Sequence, residues 1–265
     1  MKFDGSKILL TGASSGIGEA LAPMLAERGA TLGLVARRAD RLEQTLEKVR
    51  VHTPDSCSWS VDLSDIAAGE AIVRQAWDHF GHLDSLVNNA AMGKRKHLLD
   101  QSADELDQVM NLNFFSPIRM AMIVLPLMVD RGEGLLVNVG SPGGRFGIVH
   151  ESAYCAAKFA MSGWSETAAM DLAERETGVQ VKLVLPGAIK TEIWEQAPGD
   201  LPGLFDGPWT TAEECAAGIV EALEGPGFEH YVPDMKELVV GKTQDPDGFI
   251  DMMASMAREA MKTKG

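Results

Sequence analysis

Short runs of β-branched and aliphatic residues alternate with longer stretches whose apolar positions recur every three to four residues. Lys7–Thr11, Thr31–Ala36, Ser58–Val61, Leu83–Val87, Leu135–Val139 and Val179–Leu185 have the length and side-chain type of buried strands. Helical patterns lie between them at Ile17–Arg28, which Gly29 ends, and at Ala39–Arg50, Ile66–Phe80, Ala103–Val129 and Ala153–Glu176. In Ile66–Phe80 the residues Ile72, Val73, Ala76 and Phe80 share one face, the stripe a helix needs to cover a sheet. Strand and helix in repeated alternation predict a parallel sheet, because right-handed crossovers return each helix to a sheet face. The expected fold class is α/β: one domain over residues 1–265, a doubly wound parallel sheet with helices on both faces.

After Leu185 the alternation weakens. Pro186–Pro208 holds four of the twelve prolines, with Trp194, Leu201, Leu204 and Phe205 among them and Trp209 just beyond. A polar linker would not carry so many large apolar groups, so residues 186–210 are expected to form a loop or lid that packs on something. A helix follows at Ala212–Leu223. The last one, Phe249–Met261, sits in a C-terminal extension over 245–265 and carries Phe249, Met253, Met256 and Ala260 along one side. Core packing is the plain reading of that stripe; a subunit contact or pocket wall is the alternative.

Charge narrows the partners. Lys and Arg number 24 against 38 Asp and Glu, a net charge of −14, the opposite of the basic footprint that displaces phosphate counterions, so nucleic acid is excluded as an expected partner. Cys57, Cys155 and Cys215 form no CxxC pair, and the six histidines are scattered, so neither a disulfide framework nor a metal site is expected. Asp4 and Gly5 precede any apolar run, which argues against a signal peptide. The apolar runs look far shorter than the ~20 residues of a membrane span. A cytoplasmic location without a membrane span is the expectation.

Candidate chemistry starts between the first strand and first helix, in Thr11-Gly-Ala-Ser-Ser-Gly-Ile-Gly18. Gly12, Gly16 and Gly18 let the backbone turn tightly and approach a diphosphate, while Ser14, Ser15 and Ile17 lead into a helix whose free N–H groups face the anion. Glycines also mark ordinary turns; the strand–turn–helix setting is what points to a dinucleotide.

That turn resembles the cofactor motif of the short-chain dehydrogenase/reductase family, and further resemblances follow in family order. Asp62, with Leu63, lies after the third strand, where the family contacts adenine. Asn88-Asn89-Ala90-Ala91 resembles Asn-Asn-Ala-Gly, departing from it at Ala91. Tyr154-Cys-Ala-Ala-Lys158 matches Tyr-x-x-x-Lys, and Pro186-Gly187-Ala188-Ile189-Lys190-Thr191 matches Pro-Gly-x-x-x-Thr. The likeness runs from about Lys7 to Thr191 and implies a Rossmann fold, a nicotinamide cofactor held by these segments, and a homodimer or homotetramer.

Tyr154 and Lys158, four apart on an expected helix, rise on one face. A tyrosine with a pKa of about 10 is a poor base at neutral pH, and a nearby ammonium would lower that value. The resemblance adds Ser141, thirteen residues before Tyr154, to orient a substrate carbonyl, and Asn113 to anchor a water serving the lysine, with Asn111 as its alternate. It implies hydride exchange between nicotinamide and a carbonyl carbon, with Tyr154 protonating the oxygen and Lys158 holding the nicotinamide ribose.

The second strand ends in Ala36, followed by Arg37 and Arg38. NAD-preferring sites place a carboxylate at this strand end, and two guanidiniums suit a 2′-phosphate instead, so NADP(H) is expected over NAD(H). The sequence therefore reads as an NADP(H)-dependent oxidoreductase that interconverts a hydrophobic ketone or aldehyde and its alcohol. A catalytically silent dinucleotide-binding regulator is the alternative. A nucleotide-sugar epimerase or dehydratase is disfavoured by glycine spacing and chain length.

Overall fold

A computed structural model describes residues 2–194 and 209–262. Seven strands form one parallel sheet: β1 (Lys7–Thr11), β2 (Thr31–Ala36), β3 (Cys57–Ser60), β4 (Ser85–Asn88), β5 (Gly134–Val139), β6 (Val179–Pro186) and β7 (Glu229–Val232). Their order is β3-β2-β1-β4-β5-β6-β7. The chain works outward from β1 in one direction and then returns to β4 beside it, so the strand order reverses between β1 and β4. Ligands of open α/β sheets bind at such a reversal, outside the carboxyl ends of the strands.

Side chains alternate across the pleat and feed two cores. Ile8 and Leu10 of β1 face one layer, with Leu21 and Leu25 of α1 (Gly16–Ala26), Leu42 and Leu46 of α2 (Ala39–Arg50), and Ile219 and Leu223 of a later helix, Ala212–Glu224. Leu9 faces the opposite layer, with Ile72 and Val73 of α3 (Ile66–Phe80) and residues of the 103–131 helical stretch. Each fully buried leucine contributes about 1.5–3 kcal/mol, which makes these two faces the main source of stability.

The stretch expected as one helix at 103–129 is three pieces: α4 (Ala103–Met110), a π-turn at Asn111–Phe115, and α5 (Ser116–Arg131). Ser102 and Glu105 form a capping box that fixes the start of α4. Among the described residues, Ala103–Arg131 is long and apolar enough by length and composition to cross a bilayer, which corrects the expectation of only short apolar runs. Its apolar side, Met120, Ala121, Val124 and Met128, is buried in the second core.

Beyond α6 (Ser152–Glu174) come α7 (Ala212–Glu224), α8 (Lys236–Gln244) and α9 (Pro246–Lys262). Neither β7 nor α8 is marked in the sequence. The β7 segment Glu-His-Tyr-Val is half-buried throughout and shows no alternation, while α8 buries no residue. On α9 the packing line is Phe249, Met253 and Ala257, an i, i+4, i+8 row closing on Phe146. Met256, expected on that line, is exposed. Of the expected lid, Leu201, Leu204 and Phe205 lie outside the described residues. An isolated bridge between Ile189 and Thr210 ties together the two ends of that segment.

Candidate active site

A cleft of about 580 Å³ runs along the carboxyl ends of the strands. Its floor is the glycine turn. Gly12 (φ +70°) and Gly16 (φ +53°) adopt left-handed backbone that other residues avoid. A Cβ on Gly12 would lie 2.8 Å from Asn89 Nδ2, and one on Gly18 would lie 2.2 Å from the Gly12 carbonyl oxygen. Gly18 therefore sits beneath the turn and does not line the cleft, whereas Gly12, Ser14, Ser15, Gly16 and Ile17 do. Ser15 is the N-cap of α1 but makes no side-chain cap bond, so the helix presents its positive end to the cleft. A bare turn against an uncapped helix end fits a diphosphate.

The turn is held by the strand beside it. Thr11 Oγ1 accepts from the backbone N–H of Asn89 (2.9 Å) and Ala90 (3.0 Å), and Asn89 Nδ2 donates to the Thr11 carbonyl at 3.0 Å. Below them Asn88 Nδ2 donates to Asn138 Oδ1 (2.9 Å), and Asn138 Nδ2 donates to Ser165 Oγ (2.8 Å). This buried chain fixes β4, β5 and α6 relative to one another, and unmade bonds there would cost about 1–3 kcal/mol each. Asn89, Ala90 and Ala91 line the cleft, as do Pro186, Gly187, Ile189 and Thr191 from the end of β6 and the loop after it. Thr191 leans over the turn; its Cγ2 would be 3.0 Å from a Cβ on Gly16.

At the other end α6 brings Tyr154 and Lys158 into the same cleft. Lys158 is 2% exposed, and its Nζ donates to the Val139 carbonyl at 2.9 Å. Burial pulls its pKa down to about 8. Burial also pushes the Tyr154 phenol above its ordinary value, opposed by a hydrogen bond with the Ser141 side chain. The expected lowering of the phenol by Lys158 is not found: burial sets the direction, and the lysine, 5.7 Å from the ring centroid, bonds a carbonyl and itself resists charging. A neutral phenol is the form that gives a proton.

Ser141 is 7% exposed, and its Oγ accepts from the Gly143 N–H at 3.1 Å; it stands close to Tyr154 but does not itself line the cleft. Asn113 is fully buried. Its Oδ1 accepts from the Met92 N–H and its Nδ2 donates to the Met92 carbonyl, both at 2.8 Å. The side chain therefore clamps the segment after β4 and does not line the cleft. The π-turn provides the local widening in which it sits.

At the β2 end Arg37, Arg38, Asp62 and Leu63 line the cleft. Arg37 is paired loosely with Asp62, 3.9 Å apart. Asp62 is held below its ordinary pKa mainly by hydrogen bonds from Ser64. Arg38 donates to Glu192 Oε2 at 2.8 Å and to the Ser14 carbonyl at 3.4 Å. Glu192 also accepts from Arg41.

Sequence reasoning missed Glu192, Arg95, Gln108 and Glu151, all lining the cleft, while Ile193, an apolar residue of the expected lid segment, lines it too. Arg95 Nε donates to Glu151 Oε1 at 3.0 Å, a pair whose side chains are 13% and 4% exposed. Burial pushes the Glu151 carboxyl up while Arg95 opposes it. Glu151 lies three residues before Tyr154, which was the available signal; nothing local marks Arg95. Among the described residues no three His, Cys, Asp or Glu side chains gather as a metal site.

Comparison with known proteins bears on the whole of this architecture. The chain is 32% identical over 235 residues to an uncharacterised oxidoreductase of Bacillus subtilis, covering 87% of this chain and 66% of that protein, just under two thirds of its length. It is 37% identical over 230 residues to the 11-beta-hydroxysteroid dehydrogenase-like 4A protein of Arabidopsis thaliana, covering 84% and 74%. Among solved structures, a short-chain dehydrogenase from Sphingobium yanoikuyae in complex with NADPH superposes with a TM-score of 0.79 at 29% identity, covering 94% and 95%. The family model described as short chain dehydrogenase matches residues 6–201, from the start of β1 past Thr191. The chain belongs to the short-chain dehydrogenase family.

Proposed function

We propose that this protein is an NADP(H)-dependent oxidoreductase that interconverts a ketone or aldehyde and the corresponding alcohol. The observation that carries the reading is one cleft with a bare glycine turn at one end and Tyr154, close to Ser141 and one helical turn from Lys158, at the other. The dinucleotide, when bound, supplies or accepts the hydride; everything else falls to the chain. Tyr154, kept neutral by burial, gives its proton to the oxygen of the reduced carbonyl. Ser141, beside Tyr154, orients that oxygen. Lys158 lines the cleft beside Tyr154, and a pKa of about 8 lets it exchange protons near neutrality. Asn113, by clamping Met92, sets the wall on which the substrate rests.

Support for NADP(H) comes from Ala36 and the arginines after it, and from the NADPH bound by the Sphingobium relative. Met92, Leu112 and Ile193 give the substrate end apolar walls, interrupted by the Arg95–Glu151 pair, which suits an apolar carbonyl compound with a polar substituent. Phe115, Met122, Phe159 and Met170 are exposed on the π-turn, α5 and α6, and support self-association. Oxidation of NADPH and NADH against a panel of ketones and aldehydes tests the reading. Turnover faster with NADPH is expected; dinucleotide binding without turnover on any carbonyl would favour the silent regulator.

A further inference from the structure

Glu192 stands immediately after Thr191, on the far side of the cleft from β2, yet its carboxylate is spent on two arginines of the β2–α2 corner. Arg38 Nη1 meets Oε2 at 2.8 Å, and Arg41 Nη1 meets Oε1. One oxygen per guanidinium is the arrangement a phosphate would make with the same pair. Arg38 also reaches the Ser14 carbonyl of the glycine turn, so this corner is continuous with the diphosphate floor. Arg38, Ser14 and Glu192 all line the one cleft.

We propose that Glu192 is a built-in competitor for the anion site formed by Arg38 and Arg41, and so a specificity-determining residue that tempers selection of the 2′-phosphate. The inference rests on the NADP(H) reading above. With Glu192 in place, a 2′-phosphate must displace the carboxylate or share its donors. A dinucleotide lacking that phosphate leaves the contact intact. The protein therefore discriminates less sharply than two free arginines would, and retains a route to NAD(H). Removing the negative charge unmasks the arginines. Because the pair is partly exposed, with side chains 30% accessible at Arg38 and Glu192, the effect is moderate.

The test uses adenosine 2′,5′-bisphosphate and 5′-AMP, which differ by the 2′-phosphate and carry no nicotinamide. Their Kd values are measured calorimetrically on the full chain, on Glu192→Gln and on Arg38→Ala. Glu192→Gln is expected to tighten the bisphosphate by about five- to tenfold and leave AMP unchanged, the size of a partly exposed charged contact. The gain should shrink as salt is raised. If Glu192→Gln moves both probes equally, or neither, the competitor role is overturned. The NADP(H) reading fails separately: it falls if the parent protein binds both probes alike and Arg38→Ala changes nothing. A parent that binds both alike but a Glu192→Gln form that prefers the bisphosphate supports the competitor role outright.

Discussion

At the α6 end of the cleft Lys158 is 2% exposed and Ser141 7%, whereas at the β2 end the Arg37 side chain is 71% exposed and that of Arg38 30%. The buried end holds groups whose pKa values burial has moved, the phenol up and the ammonium down. The open end holds charges satisfied by other charges, Arg37 by Asp62 and Arg38 by Glu192. Desolvation tunes proton affinity where water is excluded. Where water is present, selection between ligands depends on which counter-charge is displaced.

That contrast is most exposed to disproof at Tyr154. Tyr154→Phe should lower kcat by about 10²–10⁴-fold, the usual worth of a general acid, while the Kd for dinucleotide stays within a factor of about two. A loss below tenfold would mean that the buried end does not carry the proton. At the open end Arg38→Ala should reduce kcat/KM with NADPH by about ten- to a hundredfold and leave NADH nearly unchanged, as for a lost charged hydrogen bond. Parallel losses with both cofactors would make Arg38 structural.

Stability sharpens the comparison. The Lys158 pKa of about 8 lies below the value of an unfolded lysine, so the native state releases its proton first as pH rises. The penalty for burying the ammonium is complete below pH 8. It fades as the pH climbs toward about 10.4, where the unfolded lysine titrates too. Lys158→Met is therefore expected to raise unfolding free energy at pH 7 by about 1–3 kcal/mol, after the lost bond to Val139, and by less at pH 10. Denaturant melts at the two pH values check it; an equal gain at both would remove the titration from the explanation. Arg37→Ala, by contrast, should change stability by less than about 0.5 kcal/mol in the same melts, because an exposed pair 3.9 Å apart is worth little.

What could be seen in the sequence follows the same divide between local and distant contacts. The glycine turn, Tyr154 with Lys158, and the alternation of strands and helices are patterns within a few residues, and each has its expected place in the fold. Glu192 meets Arg38 and Arg41 across 154 and 151 positions, and Arg95 meets Glu151 across 56, so no spacing advertises either pair. A lowered phenol could be guessed from the proximity of Lys158 to Tyr154, but burial, a property of the packed whole, sets the direction the other way. The π-turn around Asn113 was hidden because its residues continue a helical pattern. Only the clamp on Met92 shows what the irregularity is for.

The contact between Thr11 and Asn89 spans 78 residues, joining the first strand to the fourth. On a ribosome adding about 5–20 residues per second, the glycine turn would wait roughly 4–16 s before the asparagine that braces it has been synthesised. During that interval Ile8, Leu9 and Leu10, the apolar residues of β1, lack one neighbouring strand. The earliest part of the ligand cradle is thus among the later parts to take its shape, and dinucleotide binding reports that the two halves of the sheet have met.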